Sequence, residues 1–404
     1  MPSQDPTANP LTVVWEARPA NLVPRVIRSW SIDTSYLTST DEWSMVVFDT
    51  DKARLRNLHL EPISLLVDGN PQLIGHVERI SRGQDGSVTI SGRDYLAQLV
   101  ECNVDPTVAV KADMDLGSAL SEILAPCGIT AIGSDGDLNM RSLRTGKDPG
   151  GNGPDFKSFK PGELKPESGM GCYDFANRIV ARLGATIQPA NARDTIWVTT
   201  PSYTQSAQAT LVRTDDPAGA ALNNVIAATS EEDLSRFPTA ALSSGKITKS
   251  GEAAQAKSYE YNLIDSIEAG GAASLAAAIK DKIITTRLTP KSNTGKSNGT
   301  KVYRFLYLKD DEARSLEQIT KGLSRAVCER LKDSLVYSAT TKGFSDWHTG
   351  AVYSVDSRVR VEDDICDIHE TLWVASRKFS YAEGRGTTTM LECWRPGAFS
   401  INPG

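Results

Sequence analysis

The sequence predicts a mainly β protein of the α+β class, with β-rich segments at both ends of the chain and an α/β unit between them. Three observations support this prediction: apolar and polar residues alternate near both ends, turn signals separate these runs, and helical periodicity is found in between. The chain has 404 residues. At roughly 150 residues per domain, this length allows two to four domains.

The first hundred residues predict short antiparallel strands. Leu11, Val13 and Trp15 alternate with polar or neutral neighbours. Such period-two patterns are typical of half-buried strands. Gly69-Asn70-Pro71 and Asp85-Gly86 provide turn residues between the runs. Short strands with turns at this spacing indicate a small antiparallel barrel or sandwich.

Residues 105–204 predict two helices and a hairpin. Apolar residues recur at helical spacing over 116–124, Asp115 is available as an N-cap, and Gly128 follows as a stop signal. A second helix is predicted to begin near Gly171. A compact α/β unit inserted into the β structure follows from this order of elements.

The C-terminal part predicts strands around one long helix. Residues 302–308 suit a strand buried on both faces, and an apolar stripe predicts a helix over 312–332. Alternation over 355–361 and a hairpin over 372–394, turning at 384–386, complete the segment. The chain is therefore expected to end as it begins, in β structure.

Two hairpins share a layout. The segments Ile74–Asp94 and Leu372–Pro396 both read as strand, short glycine turn, strand, and an exit containing arginine. The exits are Gly92-Arg93-Asp94 and Trp394-Arg395-Pro396. Either two related β modules lie in one chain, or two hairpins resemble each other by chance.

Composition excludes several classes of protein. Lys and Arg number 44 against 50 Asp and Glu, for a net charge of −6, and this argues against a basic coat for nucleic acid. Six scattered cysteines without a C-x-x-C pair predict reduced thiols in a protein made in a cytoplasm. The opening residues show no secretion signal, and the longest apolar runs fall short of the ~20 residues of a membrane span.

Short motifs for phosphate, calcium and zinc are each better explained as polar loops. Residues 294–297 lack the upstream glycine of a P-loop, and 150–155 are a single copy of a calcium repeat that binds only when stacked. Cys366 and His369 form C-x-x-H, with only His348 and Cys393 to complete a zinc site. The acidic residues beside them could instead hold a weak cation. We therefore predict no catalytic, cofactor-binding or metal-binding residue, and no enzyme activity.

Several segments, taken in order, resemble the baseplate hub proteins of contractile-tailed phages, the Mu-type hub (late control protein) family. The segment 91–102, which begins Ser91-Gly92-Arg93-Asp94-Tyr95-Leu96, is similar to the family's segment that closes the first barrel. The most telling matches are those at the C-terminal end of the chain, from residue 342 onward. The other matching segments are 120–129, 173–183, 342–344, 355–361, 372–375, 386–391 and 395–399. The stretch 240–300 shows no match.

The resemblance implies two tube-like antiparallel β-barrel domains, an inserted α/β domain and a helix-containing connector. The expected domains are a first barrel over 1–104 with a returning segment at about 205–235, the α/β domain over 105–204, and a second barrel over 236–404 that carries the helix 312–332. The family-motif positions are expected to be structural: Gly92, Arg93, Asp94, Gly128, Gly343, Arg395, Pro396 and Phe399.

The resemblance also implies a function. A homotrimer with two barrels per chain would present six similar modules to a hexameric tail tube or tube initiator and three to a trimeric spike. Wedge proteins of the baseplate would be further partners, and DNA would pass through without specific binding or membrane insertion. Such a protein would be assembled in the host cytoplasm and located in the virion tail. Alternatives are a hub with peptidoglycan hydrolase activity, the core of a phage-like injection or secretion machine, and a carbohydrate-binding β protein.

Overall fold

The structure is a computed structural model, and part of the chain is described. For residues 240–246, 253–260, 305, 309 and 310 only the backbone is described. The described residues are 9–17, 23–24, 26–48, 58–108, 110–111, 113–135, 138–140, 143, 164–182, 185–190, 192–203, 205–217, 219–233, 235, 240–246, 253–260, 305–310, 326, 330 and 334–397.

Strands dominate the described residues, which confirms the mainly β fold class. The helices are α1 (Ala97–Glu101), α2 (Leu116–Leu124) and α3 (Cys172–Arg182). The strands are β1 (Leu11–Trp15), β2 (Val26–Ser35), β3 (Glu42–Phe48), β4 (Pro62–Val67), β5 (Asn70–His76), β6 (Arg79–Arg82), β7 (Val88–Arg93), β8 (Ala131–Ser134), β9 (Thr186–Pro189), β10 (Thr195–Thr199), β11 (Ala209–Arg213), β12 (Val225–Glu231), β13 (Ala240–Lys246), β14 (Ala253–Glu260), β15 (Phe305–Asp310), β16 (Val336–Lys342), β17 (Arg358–Asp363), β18 (Thr371–Ala382) and β19 (Gly386–Trp394).

One large sheet joins the two ends of the chain. Its main path runs β12-β16-β19-β18-β2-β3-β7-β6, and β17 pairs with β18 and with β11 beside this path. Every pairing along the path is antiparallel, including β18 with β2, where the C-terminal part of the chain meets the N-terminal part. The predicted hairpins are present as β6-β7 and β18-β19.

The large sheet encloses one hydrophobic core built from both ends of the chain. Alternate residues of β2 point into it, so Trp30 and Ile32 are buried while Ser31 and Asp33 are only half-buried. The Trp30 ring stacks on Phe344 from the C-terminal part at 5.2 Å between centroids. A smaller sheet, β1-β4-β5, contributes residues such as Ile63 and Leu65 to the same core. Burial of these large side chains is the main stabilising contribution across the junction.

The α/β unit has a second hydrophobic core. It includes buried residues of α2 and α3 and of the sheet in which β10 pairs parallel with β8 and antiparallel with β9. Asp115 caps α2 as predicted, because its side chain accepts a 2.7 Å hydrogen bond from the Ser118 backbone N–H. Gly128 ends the following turn in the left-handed region at φ +84°. The sequence motifs of this unit therefore act locally, at helix ends.

Removing the cap of α2 is expected to have a modest effect. Asp115→Ala leaves an N-terminal N–H of the helix without its side-chain acceptor, which costs about 1 kcal/mol in free energy of unfolding. Urea denaturation measures the loss. Asp113→Ala, an exposed change two residues upstream, is the matched control and should leave stability unchanged; equal losses in both variants would contradict the capping role.

Some predicted boundaries differ from the observed pairing. The segment 205–235, predicted to return to the first barrel, contributes β11 and β12, which pair with β17 and β16 of the C-terminal part. The prediction of a two-sided buried strand at 302–308 is wrong at Tyr307, which is 53% exposed in β15. Most of the predicted helix 312–332 lies outside the described residues. The division into two barrels stays a prediction.

In the described part of the chain, no helix combines the length and the apolar character that a membrane crossing requires.

Candidate functional site

The family-motif glycine Gly92 lies where two sheets cross. A Cβ on Gly92 would lie 2.0 Å from the His76 backbone oxygen, and a Cβ on Gly75 would lie 2.1 Å from the Arg93 backbone oxygen. Since β5 belongs to the small sheet and β7 to the large one, the two glycines allow the sheets to approach backbone to backbone. An isolated bridge between Gly75 and Asp94 continues this contact.

Arg93 fixes the outer side of the same crossing. Its guanidinium donates two hydrogen bonds to Glu78, with Nε to Oε2 and Nη2 to Oε1 both at 2.9 Å, and contacts Glu101 of α1. The side chain is a quarter exposed. Bidentate pairing of this kind orients both partners. Arg93 therefore links β7, the approach to β6 and the first helix.

Asp94 is a buried carboxylate that organises the exit from β7. Its Oδ1 accepts from the Leu96 N–H at 3.0 Å and its Oδ2 accepts from the Asp41 N–H at 3.0 Å. Asp41 in turn accepts from the Ser35 N–H at 3.1 Å. Desolvation raises the pKa of Asp41 to about 7, and desolvation together with the charge of Asp41 raises the pKa of Asp94 well above its usual range. Two like charges share one enclosed site.

The buried Arg377 of β18 is the cation whose charge lowers the pKa of Asp41, against the larger effect of desolvation. Its Nη1 donates to the Tyr353 backbone oxygen at 2.7 Å, and its Nε donates to Thr34 Oγ1 of β2 at 3.1 Å. The guanidinium lies 4.0 Å above the Phe379 ring centroid. Burial lowers the pKa of Arg377 to about 10, while Asp41 opposes this change. Asp41, Asp94 and Arg377 form what we call the junction network, because it spans the β2-β18 junction.

The junction network predicts a stability that rises on mild acidification. A carboxyl whose pKa is higher in the folded protein than in the unfolded chain binds its proton more tightly when folded, so stability increases as pH falls through the folded value. Asp356, whose pKa burial raises to about 6, acts in the same direction. Between pH 8 and pH 5 we expect a gain on the order of 2 kcal/mol in free energy of unfolding.

Denaturation at a series of pH values measures this gain. Asp41→Asn should reduce the dependence, because the amide does not titrate while Asp356 still does, whereas the exposed control Asp113→Asn should keep the full dependence. A stability that falls steadily from pH 8 to pH 5 in the wild-type protein would contradict the assignment.

The C-terminal motif residues perform a similar anchoring task. Arg395, with a side chain only 7% exposed, donates to Glu370 Oε1 at 3.3 Å and to Glu232 Oε1 at 3.2 Å. Pro396 is buried beside it. Gly343 adopts φ +75° at the end of β16, a conformation that favours glycine. Phe399 lies outside the described residues.

The two exit arginines occupy comparable positions. Arg93 ends β7 and pairs with Glu78 and Glu101, while Arg395 follows β19 and pairs with Glu370 and Glu232. Each arginine leaves a hairpin and is held by two carboxylates. This parallel extends the likeness of the two hairpins from sequence to side-chain contacts.

The C-x-x-H motif at Cys366 and His369 does not form a metal site in the part of the chain that the structure describes. Cys366 Sγ accepts from Arg213, and His369 pairs with Glu362 at 3.0 Å. No group of three or more His, Cys, Asp or Glu in the described residues is arranged to hold a metal ion. Residues 294–297 and 150–155 lie outside the described part of the chain.

The cysteines that the structure describes are free thiols. They are Cys102, Cys127, Cys172, Cys366 and Cys393. The Cys127 and Cys172 sulfurs approach to 3.3 Å, which is a thiol hydrogen bond rather than a covalent bond of about 2 Å. Desolvation raises the pKa of both thiols, to about 12 for Cys127. Cys127 and Cys172 therefore act as small apolar side chains.

Sequence reasoning missed Asp41 and Arg377, and it also missed a polar groove on the outside of the large sheet. The groove has a volume of about 400 Å³ and is lined by residues of β2, β3, β7 and β18, among them Ser31, Ser44 and Ser91. The sequence does contain a pattern that indicates a polar face here, because serines alternate with large apolar residues along β2. Nothing in that alternation shows which strands will be neighbours.

Solved structures of phage tail proteins share this architecture. A tail protein from Neisseria meningitidis MC58 superposes with a TM-score of 0.66 at 17% identity, covering 96% of this chain and 98% of that one. The chain has a tail-protein fold. The 43 kDa tail protein of prophage MuSo2 from Shewanella oneidensis gives a TM-score of 0.64 at 17% identity over 93% of this chain and 95% of that one.

A more distant likeness supports the same fold. The prophage tail protein gp18 from Listeria monocytogenes EGD-e gives a TM-score of 0.51 at 10% identity, over 90% of this chain and 87% of that one. No protein-family model and no curated protein matches the sequence. The resemblance to the Mu-type hub family, suggested by short motifs, is thus confirmed at the level of the fold.

Proposed function

We propose that this protein is a structural hub of a phage or phage-like tail, in which three copies form a ring around a channel. One side of the ring would join a hexameric tail tube or its initiator, and the other would seat a trimeric spike. Other baseplate proteins would bind around it, and DNA would pass through the channel. The proposed location is the virion tail, after assembly in the host cytoplasm, and no enzymatic step is required.

The observation that carries the proposal is the composition of the large sheet. Its path divides at the β2-β18 junction into two four-stranded halves. Read in the same direction along the path, they are β12-β16-β19-β18 from residues 225–394 and β2-β3-β7-β6 from residues 26–93. Each half ends in a hairpin followed by a carboxylate-paired arginine. Two comparable halves per chain give six around a three-fold axis, which supports a match between a trimer and a hexameric tube.

The edges of the path suggest how a ring would close. Within the described residues, β6 pairs only with β7, and β12 pairs only with β16. Open strand edges are covered in native assemblies, because they otherwise offer unpaired backbone groups to any strand. In the proposed ring, β6 of one chain lies toward β12 of the next. Such a head-to-tail contact closes after three copies.

Mass measurement tests the assembly. Sedimentation of the purified full-length protein should show a species of three chains of 43.6 kDa each. A protein that stays monomeric over the whole accessible concentration range would contradict the proposal. Zymography on peptidoglycan tests the non-enzymatic assignment, since clearing by the purified protein would identify a hydrolase instead.

A further inference from the structure

Three cysteine side chains of the α/β unit converge where three segments of the chain meet. Cys102 follows α1, Cys127 lies in the turn after α2, and Cys172 is the first residue of α3. The Cys172 backbone N–H donates to the Cys102 carbonyl oxygen at 2.8 Å, so these two segments lie side by side. The sulfurs of Cys127 and Cys172 are 3.3 Å apart, and the nearby Cys102 contributes to raising the pKa of Cys127. We call these three residues the thiol cluster.

The three thiols of the cluster differ in their access to solvent. Cys102 is exposed, Cys127 is partly buried and Cys172 is buried. Desolvation raises the pKa of both Cys127 and Cys172, so these two thiols stay protonated at neutral pH. Thiolates rather than thiols attack disulfides, and access to the sulfur also limits the rate. A reagent from solvent therefore reaches Cys102 first.

The contact between Cys127 and Cys172 is the starting geometry of a disulfide. Their sulfurs would have to approach by only about 1.3 Å to reach the bond length of about 2 Å. A metal ion is a poorer match, because no group of three or more His, Cys, Asp or Glu in the described residues is arranged to hold one. Cys366 and Cys393 pack with the core of the large sheet instead.

We propose that Cys127 and Cys172 are a redox modification site, which a small-molecule disulfide such as oxidised glutathione converts into an intramolecular disulfide by way of Cys102. The bond ties the turn after α2 to the start of α3 and links positions 45 residues apart. Both helices belong to the second hydrophobic core. A cross-link of this kind stabilises the folded unit, chiefly by restricting the unfolded chain.

The reaction proceeds by three thiol–disulfide exchanges. The Cys102 thiolate attacks one sulfur of oxidised glutathione, forming a mixed disulfide and releasing one reduced glutathione. Cys127 loses its proton and attacks the Cys102 sulfur, which releases the second reduced glutathione. Cys172 loses its proton and attacks the Cys127 sulfur, which returns Cys102 to a thiolate. Overall two thiols of the protein lose two electrons and two protons, and one oxidised glutathione becomes two reduced ones.

The use of the site, but not its chemistry, rests on the proposed function. A cytoplasm keeps thiols reduced, whereas the medium outside the cell allows disulfides to form and persist. A tail protein assembled in the host cytoplasm would therefore carry the open pair. After release of the particle, the closed pair would strengthen the α/β unit.

Disulfide mapping tests the site. The purified full-length protein is treated with oxidised glutathione under native conditions, remaining thiols are alkylated, and the peptides are identified by mass spectrometry without reduction. The expected main product links Cys127 to Cys172. The same treatment in urea measures the pairing of the unfolded chain, in which this linkage should not dominate. A native product in which glutathione stays on Cys102, or in which Cys102 is linked to Cys127, would overturn the assignment.

The entry role of Cys102 has a test of its own. Cys102→Ser should form the same linkage about tenfold more slowly, because the two desolvated thiols supply little thiolate. Cys366→Ser, which alters a cysteine of the other core, is the matched control and should react at the wild-type rate. Equal rates for all three proteins would overturn the role of Cys102.

Thermal unfolding measures the consequence of the bond. The oxidised wild-type protein should unfold at a temperature roughly 5 °C higher or more than the reduced protein, and dithiothreitol should remove the difference. Cys127→Ser, exposed to the same oxidant, should show no rise, whereas Cys366→Ser should rise as the wild type does. An unchanged unfolding temperature in a sample that mapping shows to be linked would overturn the stabilising role.

These results are distinguishable from a failure of the proposed function. A chain that stays monomeric but forms the linkage would contradict the ring and leave the redox site standing. Rings of three chains that never form the linkage would do the reverse.

Discussion

Gly92→Ala is expected to lower the free energy of unfolding by roughly 3 kcal/mol or more, enough to leave much of the protein unfolded. The added methyl group would meet the His76 backbone oxygen at 2.0 Å. That oxygen belongs to β5 of the small sheet and cannot rotate away as a side chain could. The two sheets would have to separate at the point where they share a core. Chemical denaturation, or the soluble yield if the variant does not fold, measures the effect.

Gly128→Ala is the matched control for this prediction. Gly128 has φ +84°, but a Cβ added there would have no heavy atom within 4 Å, so alanine costs only backbone strain, about 1 kcal/mol. The difference between the two variants isolates the effect of the sheet crossing. If both variants lose the same small amount of stability, the close approach of β5 and β7 is not essential to the fold.

Arg377→Met is expected to cost about 3 kcal/mol near pH 8, because it removes two buried hydrogen bonds of a guanidinium and the cation whose charge lowers the pKa of Asp41. Methionine fills similar volume but cannot donate to the Tyr353 oxygen or to Thr34. The loss should shrink at pH 5, where Asp41, with its pKa of about 7, takes up a proton and needs no counter-charge. Urea denaturation at both pH values measures it.

Arg360→Met is the control for the junction variant. Arg360 lies on β17 with an exposed side chain paired to Glu362, so its replacement should change stability by less than about 0.5 kcal/mol. A loss for Arg377→Met that is the same at pH 5 and pH 8 would show that packing and hydrogen bonds, not charge, account for the effect.

Local features of this fold were predictable from sequence. The cap at Asp115, the turn at Gly128 and the hairpin that turns at residues 384–386 all depend on neighbours within a few residues. The hydrophobic alternation in β2 likewise shows one buried and one open face, since the period of two is set by the strand itself. Such signals depend on nearby residues, so no knowledge of the tertiary fold is needed to read them.

Long-range pairing could not be predicted in the same way. The four-residue strand β8 gives almost no periodic signal, and it forms only because β10, some sixty residues later, pairs with it in parallel. The pairing of β2 with β18 joins residues about 350 positions apart. Asp41 and Arg377 belong to one network for the same reason. Tertiary contact decides these features, and sequence patterns do not encode strand order.

The family-motif residues could be recognised from the sequence, whereas an arrangement that spans several strands could not. Gly92, Arg93, Asp94 and Arg395 could be singled out as a set by their resemblance to a family. The structure shows what each one does. Gly92 allows two sheets to approach, Arg93 pairs with two carboxylates, and Asp94 accepts backbone hydrogen bonds.

Arg395 is held by two glutamates after the last strand. The alignment of Thr388, Ser380, Ser31, Ser44 and Ser91 across the large sheet could not be recognised, because these five residues come from five strands. It exists only once the strands are side by side.

The rotational symmetry of the assembled ring tests the central claim most directly. Top views of the purified protein, classified by cryo-electron microscopy without imposed symmetry, should show a central hole surrounded by six similar densities that repeat strictly only every 120°. That pattern would reflect three chains with two comparable sheet halves each. A ring of six or another number of identical chains, or three lobes with no internal repeat, would contradict the account.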